Sequence, residues 1–171
     1  MRKLLSSLVA IGIASCLVCP AAVAQTPSPA AAGAKPDGKK ISAAPLRSVS
    51  TEDAPKAAGP YSQAIVEGGF LFAAGQTPRD PKTGAMVAES IGQAVDRVFD
   101  NLEAVLKAEG LGWTDVVKTT VFMVKSDDFA AMNAAYARRM GDGRPARSTV
   151  FVSALPGGAI VEMDLIARAR K

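Results

Sequence analysis

Five large apolar residues between positions 91 and 105 recur at spacings of four, three, four and three. This spacing follows the 3.6-residue turn of an α-helix, so the five side chains share one face. Gly110 stands where a C-terminal cap of such a helix belongs. A helix with one apolar face has to bury that face against a second layer, so the segment predicts a layered domain. The five residues are Ile91, Val95, Val98, Leu102 and Val105.

Strand-like segments lie on both sides of this helix. Positions 61–66 and 70–74 are short strand-like runs, and Glu67-Gly68-Gly69 between them predicts a hairpin turn. After the helix, residues 116–124 are dense in β-branched side chains, which indicates a buried strand. The hairpin and the buried strand supply the sheet against which the helix can pack.

The C-terminal third repeats this alternation. A second helix is predicted over residues 129–140, with Asp127 or Asp128 as its N-cap. Two strands follow, over residues 147–152 and 160–169. The order β-β-α-β-α-β-β predicts an α+β sandwich with the helices on one face of a mixed, mostly antiparallel sheet. Since the chain provides no layer for the other face, we expect the domain to self-associate.

The first 24 residues resemble a secretory signal. Arg2 and Lys3 form a short basic region, residues 4–18 are apolar, and Ala22-Val23-Ala24 is a cleavage site of the A-x-A type. The apolar run is shorter than the ~20 residues that a membrane span needs. We therefore expect a cleaved protein that is periplasmic or secreted.

The sequence also allows two alternatives to cleavage after residue 24. The apolar segment could be retained as an anchor helix. Residues 13–15 also resemble the short box that precedes a lipidated cysteine, which would attach the protein to a membrane through Cys16. Residues 25–45 are rich in Ala, Pro, Gly and Lys and predict a disordered spacer. Residues 46–171 form the predicted folded domain.

Composition excludes several kinds of chemistry. The sequence contains no histidine, which rules out histidine bases, Ser-His-Asp or Cys-His catalysis and histidine-ligated metals. Both cysteines, Cys16 and Cys19, lie in the predicted leader, so a cleaved protein has no thiol. The formal charge of +4 falls to about +2 once Arg2 and Lys3 are removed, which argues against nucleic-acid binding. We expect no metal site.

Arg147 is the first candidate for chemistry. It follows Pro145-Ala146 at the start of a predicted strand, whose alternation places Arg147, Thr149 and Phe151 on one face. A guanidinium beside an apolar strand can hold both oxygens of a carboxylate. From the pattern alone, a structural salt bridge or an edge charge explains this arginine as well.

Glu162 is the second candidate. In the last predicted strand it shares a face with Ile160, Asp164 and Ile166, opposite the apolar Val161 and its alternating partners. Apolar surroundings disfavour a carboxylate and raise its pKa towards the range of a general acid or base. A solvated acidic stripe is the alternative. The pattern places Arg147 and Glu162 on neighbouring strands.

The remaining candidates are weaker. Tyr61 could donate a phenolic hydrogen bond into a cleft, or simply pack. Asn133 lies within a predicted helix, where its low propensity suggests that it makes a contact. Ala74 and Gly75 end a strand with small residues, which lets a ligand or a second subunit approach the backbone. The sequence contains no phosphate loop, dinucleotide fingerprint or metal-ligand spacing.

Together these segments resemble the RidA (YjgF-like) family over residues 47–171. The C-terminal signature is the most distinctive, since PARS at 145–148 is followed by LP at 155–156 and VEM at 161–163. Other matching segments are TEDAP at 51–55, GPYSQ at 59–63, AGQTP at 74–78, DPKTG at 80–84 and VVKTTVF at 116–122.

The resemblance implies a chorismate-mutase-like fold and a homotrimer with clefts between subunits. It also implies hydrolysis of reactive 2-enamine and 2-imine acids, such as 2-aminoacrylate, 2-iminopropanoate and 2-iminobutanoate, to 2-keto acids and ammonia without a cofactor. By position, Arg147 corresponds to the family's carboxylate-binding arginine and Glu162 to the residue that orients or activates water. Tyr61, Asn133 and the backbone near Ala74 and Gly75 correspond to cleft residues.

The chain departs from the family pattern at two positions. Ala74 replaces a serine, which removes one polar contact from the cleft. Thr149 replaces a cysteine that is common two residues after the arginine, and a threonine survives an oxidising compartment better. The lost serine leaves open an alternative function, a non-catalytic module of the same trimeric fold that binds small carboxylates or acts as a chaperone.

Overall fold

The computed structural model describes residues 45–87 and 89–169. The predicted leader, Cys16 and all but the last residue of the predicted spacer lie outside the described residues. In the described part, none of the helices has the length and apolar character required to cross a membrane.

Six strands form one sheet in the order β1-β2-β3-β6-β4-β5. Neighbouring strands are antiparallel except for β4 and β5, which run parallel. The sheet is therefore mixed and mostly antiparallel, as predicted. The strands are β1 (Arg47–Val49), β2 (Ala64–Glu67), β3 (Phe70–Gln76), β4 (Val116–Met123), β5 (Ala146–Phe151) and β6 (Val161–Arg168).

Two helices, α1 (Ile91–Lys107) and α2 (Phe129–Met140), pack against each other, and α1 lies on β3 and β6. The predicted stripe of α1, from Ile91 to Val105, is buried at all five positions. The β6 side chains on the helix side of the sheet are those of every second residue, because alternate side chains of a strand point to opposite faces. Those buried β6 residues are Val161, Met163, Leu165 and Ala167. The α+β prediction with helices on one face is confirmed.

The structure differs from the predicted order by one element. A short edge strand, β1, precedes the predicted hairpin and pairs with β2. Its three residues show no alternation that could identify a strand, and only Val49 among them is buried. The hairpin itself is as predicted, since Glu67 pairs with Phe70 around two glycines with positive φ. Positive φ at both turn residues suits the twist of a two-residue hairpin.

The predicted N-cap position of α2 is confirmed at Asp128, but the expected capping by its side chain is absent. Asp128 occupies the residue before α2, but its side chain makes no capping hydrogen bond. A single 3₁₀ turn, Ser126–Asp128, runs directly into the helix, so Asp128 already has near-helical dihedrals. A capping side chain needs extended backbone at this position to reach back to the first turn. Ser90 has that geometry before α1 and accepts a hydrogen bond from the Gln93 N–H.

The sheet face opposite the helices carries apolar side chains. Ile65, Phe72 and Ile166 stand side by side on β2, β3 and β6, because they are register partners. Phe72 is 44% exposed, and Val150 on β5 is 41% exposed. We name this surface the open face. Its apolar character is consistent with self-association, which stays a prediction.

Asn101 fastens the segment after β3 to helix α1. It is fully enclosed, and its amide nitrogen donates to the carbonyl oxygens of Thr77 and Arg79 at 3.1 and 2.9 Å. The Thr77 carbonyl also accepts from the Arg79 N–H at 2.7 Å, so the Asn101 amide adds a second donor there and supplies a side-chain donor to the Arg79 carbonyl. The conformation of residues 77–79 therefore depends on one side chain from α1.

We expect Asn101→Ala to lower the free energy of unfolding by about 2 kcal/mol, because two hydrogen bonds are lost and a small cavity forms. Denaturant unfolding can be followed by the fluorescence of Trp113, which packs against Phe99 at 4.5 Å between ring centroids. Lys107→Ala, at an exposed position of the same helix, is the control and should stay within about 0.5 kcal/mol of the native protein. If Asn101→Ala were as stable as Lys107→Ala, the proposal that Asn101 holds residues 77–79 in place would be contradicted.

Candidate functional site

Arg147 lies on the helix side of the sheet, at the start of the edge strand β5. Its register partner on β4 is Thr119, which is fully buried and hydrogen-bonded to the Tyr136 hydroxyl at 2.9 Å. The Arg147 guanidinium lies over the Tyr136 ring, 4.6 Å from the centroid, and Nη2 donates to Asn133 Oδ1 at 2.8 Å. A stacked ring and one hydrogen bond thus hold the guanidinium in a single orientation.

The same guanidinium lines a cavity of about 380 Å³ between β5 and the C-terminal end of α2. In the described part of the chain no carboxylate lies within ion-pair distance of it. A fixed guanidinium that still has free N–H donors can bind a carboxylate with two parallel hydrogen bonds. We name this cavity the Arg147 pocket, lined by Tyr136, Ala137, Met140, Gly143, Arg144, Pro145 and Arg147.

Two further predicted residues lie beside Arg147. Asn133 projects from α2 and supplies the hydrogen bond to the guanidinium. Thr149 is two residues further along β5 on the same face, opposite the buried Val121 of β4. The structure therefore brings Arg147, Asn133 and Thr149 together on one side of the sheet.

Glu162 lies on the open face. Its register partner on β4 is Phe122, which in turn pairs with Val150 of β5. The carboxylate is half-buried and accepts no hydrogen bond from the described residues. Burial raises the pKa of Glu162 above the ordinary range, and the negative charge of Asp164 raises it further. This is the direction that the sequence pattern predicted, and for the predicted reason.

Gly75 provides the space that the Glu162 carboxylate occupies. The register between β3 and β6 shifts between Ala73 and Gln76, which places Ala74 and Gly75 in a bulge. A Cβ atom on Gly75 would overlap the carboxylate and would lie 2.9 Å from Cδ of Glu162. A side chain at position 75 would therefore displace the carboxylate. The small residue is needed here for close approach.

A pocket of about 120 Å³ opens in front of Glu162. At roughly 30 Å³ per water molecule, this volume holds about four waters or one small organic acid. Tyr61 lies at its edge, and its hydroxyl accepts a hydrogen bond from the Ala58 N–H at 3.1 Å, which leaves its proton free to donate. We name this the Glu162 pocket, lined by residues 55–58, Tyr61, Gln63, Gly75, Gln76, Thr77, Arg79, Pro156 and Glu162.

Gln63 shapes the Glu162 pocket, and sequence reasoning missed it. Its buried amide donates to the carbonyl oxygens of Thr51, Ala54 and Pro55, and its oxygen accepts from the Thr51 N–H. One side chain thus fixes the wall formed by the residues before Tyr61. The sequence signal for this role was a glutamine directly before an apolar strand, because an amide buried there has to find several hydrogen-bond partners.

The structure separates the predicted site residues into two groups. The prediction that Arg147 and Glu162 lie on neighbouring strands is wrong, because β4 stands between β5 and β6. The two side chains also point to opposite faces, since Arg147 pairs with the buried Thr119 and Glu162 with Phe122 of the open face. In one chain, Arg147, Asn133 and Thr149 form one half-site, and Glu162, Tyr61 and the Ala74-Gly75 bulge form another.

Among residues 45–87 and 89–169, no group of three acidic, histidine or cysteine side chains could hold a metal ion. The functional groups of the two half-sites are a guanidinium, an amide, a phenol, a hydroxyl and one carboxylate with a raised pKa. Such a set can bind an anion and move a proton to or from water.

Comparison with known proteins places this geometry in a family. Residues 51–169 match the family described as Endoribonuclease L-PSP. A RutC family protein of Pyrococcus horikoshii is 49% identical over 117 residues, which cover 68% of this chain and 93% of that protein. The chloroplastic Reactive Intermediate Deaminase A of Arabidopsis thaliana is 43% identical over 119 residues, or 70% of this chain and 64% of that protein.

A solved structure shows the same fold. A putative endoribonuclease of Thermotoga maritima superposes with a TM-score of 0.70 at 47% identity, and the match covers 73% of this chain and 98% of that one. The matched segments span all of the residues that form the two half-sites. On the family match, the relatives' identity and the shared fold, the chain belongs to the Endoribonuclease L-PSP family, the family of the RutC and Rid (YjgF-like) proteins.

Proposed function

We propose that the protein hydrolyses reactive 2-imino acids and their enamine tautomers to 2-keto acids and ammonia. The observation that carries the proposal is the pair of complementary half-sites, a carboxylate-binding guanidinium in one and a carboxylate with a raised pKa in the other. The name of the Arabidopsis relative, a reactive intermediate deaminase, supports this class of reaction. The proposed substrates include 2-iminopropanoate, formed from 2-aminoacrylate, and 2-iminobutanoate.

Arg147 is proposed to bind the carboxylate of the substrate. The guanidinium is already oriented by Tyr136 and Asn133, so little conformational entropy is lost when it forms two hydrogen bonds to the ligand. Thr149, beside it on β5, is proposed to contact the same end of the substrate. Binding at this end fixes the position of the imine carbon relative to the rest of the site.

Glu162 is proposed to act on water. As a carboxylate it accepts a proton while the water oxygen bonds to the imine carbon and the C=N π electrons move to nitrogen. It then returns that proton to nitrogen, which gives a carbinolamine with one hydroxyl and one NH2 group. In a second transfer Glu162 takes the hydroxyl proton and passes it to nitrogen, the C–N bond breaks, and ammonia leaves as the carbonyl forms. Burial raises the pKa of Glu162, which makes its carboxylate a stronger proton acceptor for this cycle than an ordinary glutamate. Tyr61, which lines the same pocket, is proposed to donate a hydrogen bond there.

One chain cannot supply both ends of this site, so we propose that two copies complete it. The Arg147 pocket and the Glu162 pocket are different surfaces, and a contact between different surfaces forms a ring when the rotation between copies closes. The apolar open face provides the surface that such a ring would bury. On the family resemblance we propose a ring of three subunits, with three equal sites.

Mixing two inactive variants tests both the reaction and the shared site. Imine is generated from an amino acid by an amino-acid oxidase and trapped with semicarbazide, and acceleration of hydrolysis lowers the trapped fraction. We expect Arg147→Ala and Glu162→Gln each to lose at least about 100-fold in kcat/KM, since each removes one required function. Unfolded together at equal amounts and refolded, they should recover about a quarter of the native activity, because one site in four receives both native residues.

The control for this experiment is each variant refolded alone, which should stay inactive. A mixture as inactive as its components would contradict a site shared between two copies. A native protein that leaves trapping unchanged would contradict the reaction itself and leave carboxylate binding as the role of the fold.

The pH dependence of the reaction provides a separate test of Glu162. If its carboxylate is the base, kcat/KM falls as pH drops through its pKa, which burial and Asp164 hold above the ordinary glutamate value. Asp164→Asn removes the like charge and should move this acid limb to lower pH. The pH profile of kcat/KM measures the shift, with the exposed Glu67→Gln as the control. An acid limb unmoved by Asp164→Asn would count against Glu162 as the titrating group.

A further inference from the structure

Arg79 lines the Glu162 pocket but belongs to neither of the functions proposed above. It is half-buried, and its Nη1 donates to the Gly84 carbonyl oxygen at 2.6 Å. Within the described ranges no carboxylate lies within ion-pair distance of its guanidinium. A half-buried cation without a counter-charge is an unusual feature, because charged groups are desolvated at a cost when no partner compensates them.

The nearest acidic residue in sequence is committed elsewhere. Asp80 accepts hydrogen bonds from the backbone N–H groups of Lys82 and Thr83, and its carboxylate lies 3.6 Å from Arg97 on α1. Those hydrogen bonds lower the pKa of Asp80, so it is ionised and engaged by its own turn. Glu162 does not serve as the partner either, since no ion pair joins it to Arg79 although both line one pocket.

The position of Arg79 is fixed from two sides. The Asn101 amide nitrogen donates to the Arg79 carbonyl oxygen at 2.9 Å and so holds the backbone, and the hydrogen bond to Gly84 holds the guanidinium. On the other side stands Gly157, where a Cβ atom would lie 2.8 Å from Nη2 of Arg79. Gly157 also has a positive φ of 64°, so a side chain is disfavoured there for two reasons. The loop after Leu155 therefore leaves room for the guanidinium and what it binds.

We infer that Arg79 is a second anion-binding residue of the Glu162 pocket, and that the preferred substrates are 2-imino acids with an acidic group on the side chain. This inference rests on the proposed function. The α-carboxylate binds Arg147 of the neighbouring copy, the imine carbon lies at Glu162, and the side-chain carboxylate binds Arg79. The small pocket suits a short dicarboxylic imine, such as that of aspartate or glutamate. Lys56, an exposed residue of the same lining, adds positive charge.

Binding of stable keto acids tests this inference without catalysis. We expect the full chain to bind 2-oxoglutarate at least about 10-fold more tightly than 2-oxobutanoate in calorimetry, since one charge-assisted contact is added. Arg79→Gln keeps a donor for Gly84 but loses the charge. It should weaken 2-oxoglutarate binding by about 10-fold and leave 2-oxobutanoate within about 2-fold. Lys82→Gln removes one charge from the same turn outside the pocket and should change neither.

The imine assay supplies the second readout. The ratio of kcat/KM for 2-iminoglutarate to that for 2-iminobutanoate should fall about 10-fold in Arg79→Gln and stay constant in Lys82→Gln. Equal effects of Arg79→Gln on the two acids, or no effect, would overturn the inference. If the native protein hydrolyses neither imine yet prefers 2-oxoglutarate in an Arg79-dependent manner, the proposed reaction fails and Arg79 remains an anion-binding residue.

Discussion

The alternation of side chains across a sheet controls the whole arrangement of this molecule. Arg147 and Thr119 are register partners and face the helices, whereas Glu162 and Phe122 are register partners and face away from them. Because β4 stands between β5 and β6, no side-chain rotation in one chain joins the guanidinium to the carboxylate. The proposed chemistry therefore depends on assembly, and we propose that burial of the apolar open face drives it.

The Glu162 half-site depends on residues that do no chemistry themselves. Gly75 lets the Glu162 carboxylate lie against a backbone bulge, and Gln63 fixes the facing wall with four hydrogen bonds. Asn101 holds the segment that carries Thr77 and Arg79, and this segment forms a third wall of the Glu162 pocket. This enclosure disfavours the ionised form of Glu162 and raises its pKa, which costs stability at neutral pH and suits the proton transfers proposed for it. Function here is supported by small residues and buried amides.

Periodic patterns predicted most of this fold from sequence. The stripe of α1 and the alternation of β6 are local properties, so the buried face of each element and the environment of Glu162 followed directly. The order of the strands in a sheet is not determined by local sequence. Placing β4 between β5 and β6 depends on which edges meet in three dimensions, so the relation of Arg147 to Glu162 was predicted wrongly. Gln63 and Arg79 were missed because their roles arise from contacts with distant backbone.

The activity of a folded monomer is the most direct measure of whether two copies build one site. Phe72 is 44% exposed on the open face and lines neither pocket, so Phe72→Glu should prevent assembly and leave both half-sites intact. Mass measured by light scattering and imine hydrolysis measured on the same sample would give the answer. Our account predicts a folded monomer without activity. A monomer that hydrolyses imines as fast per chain as the native protein would contradict it.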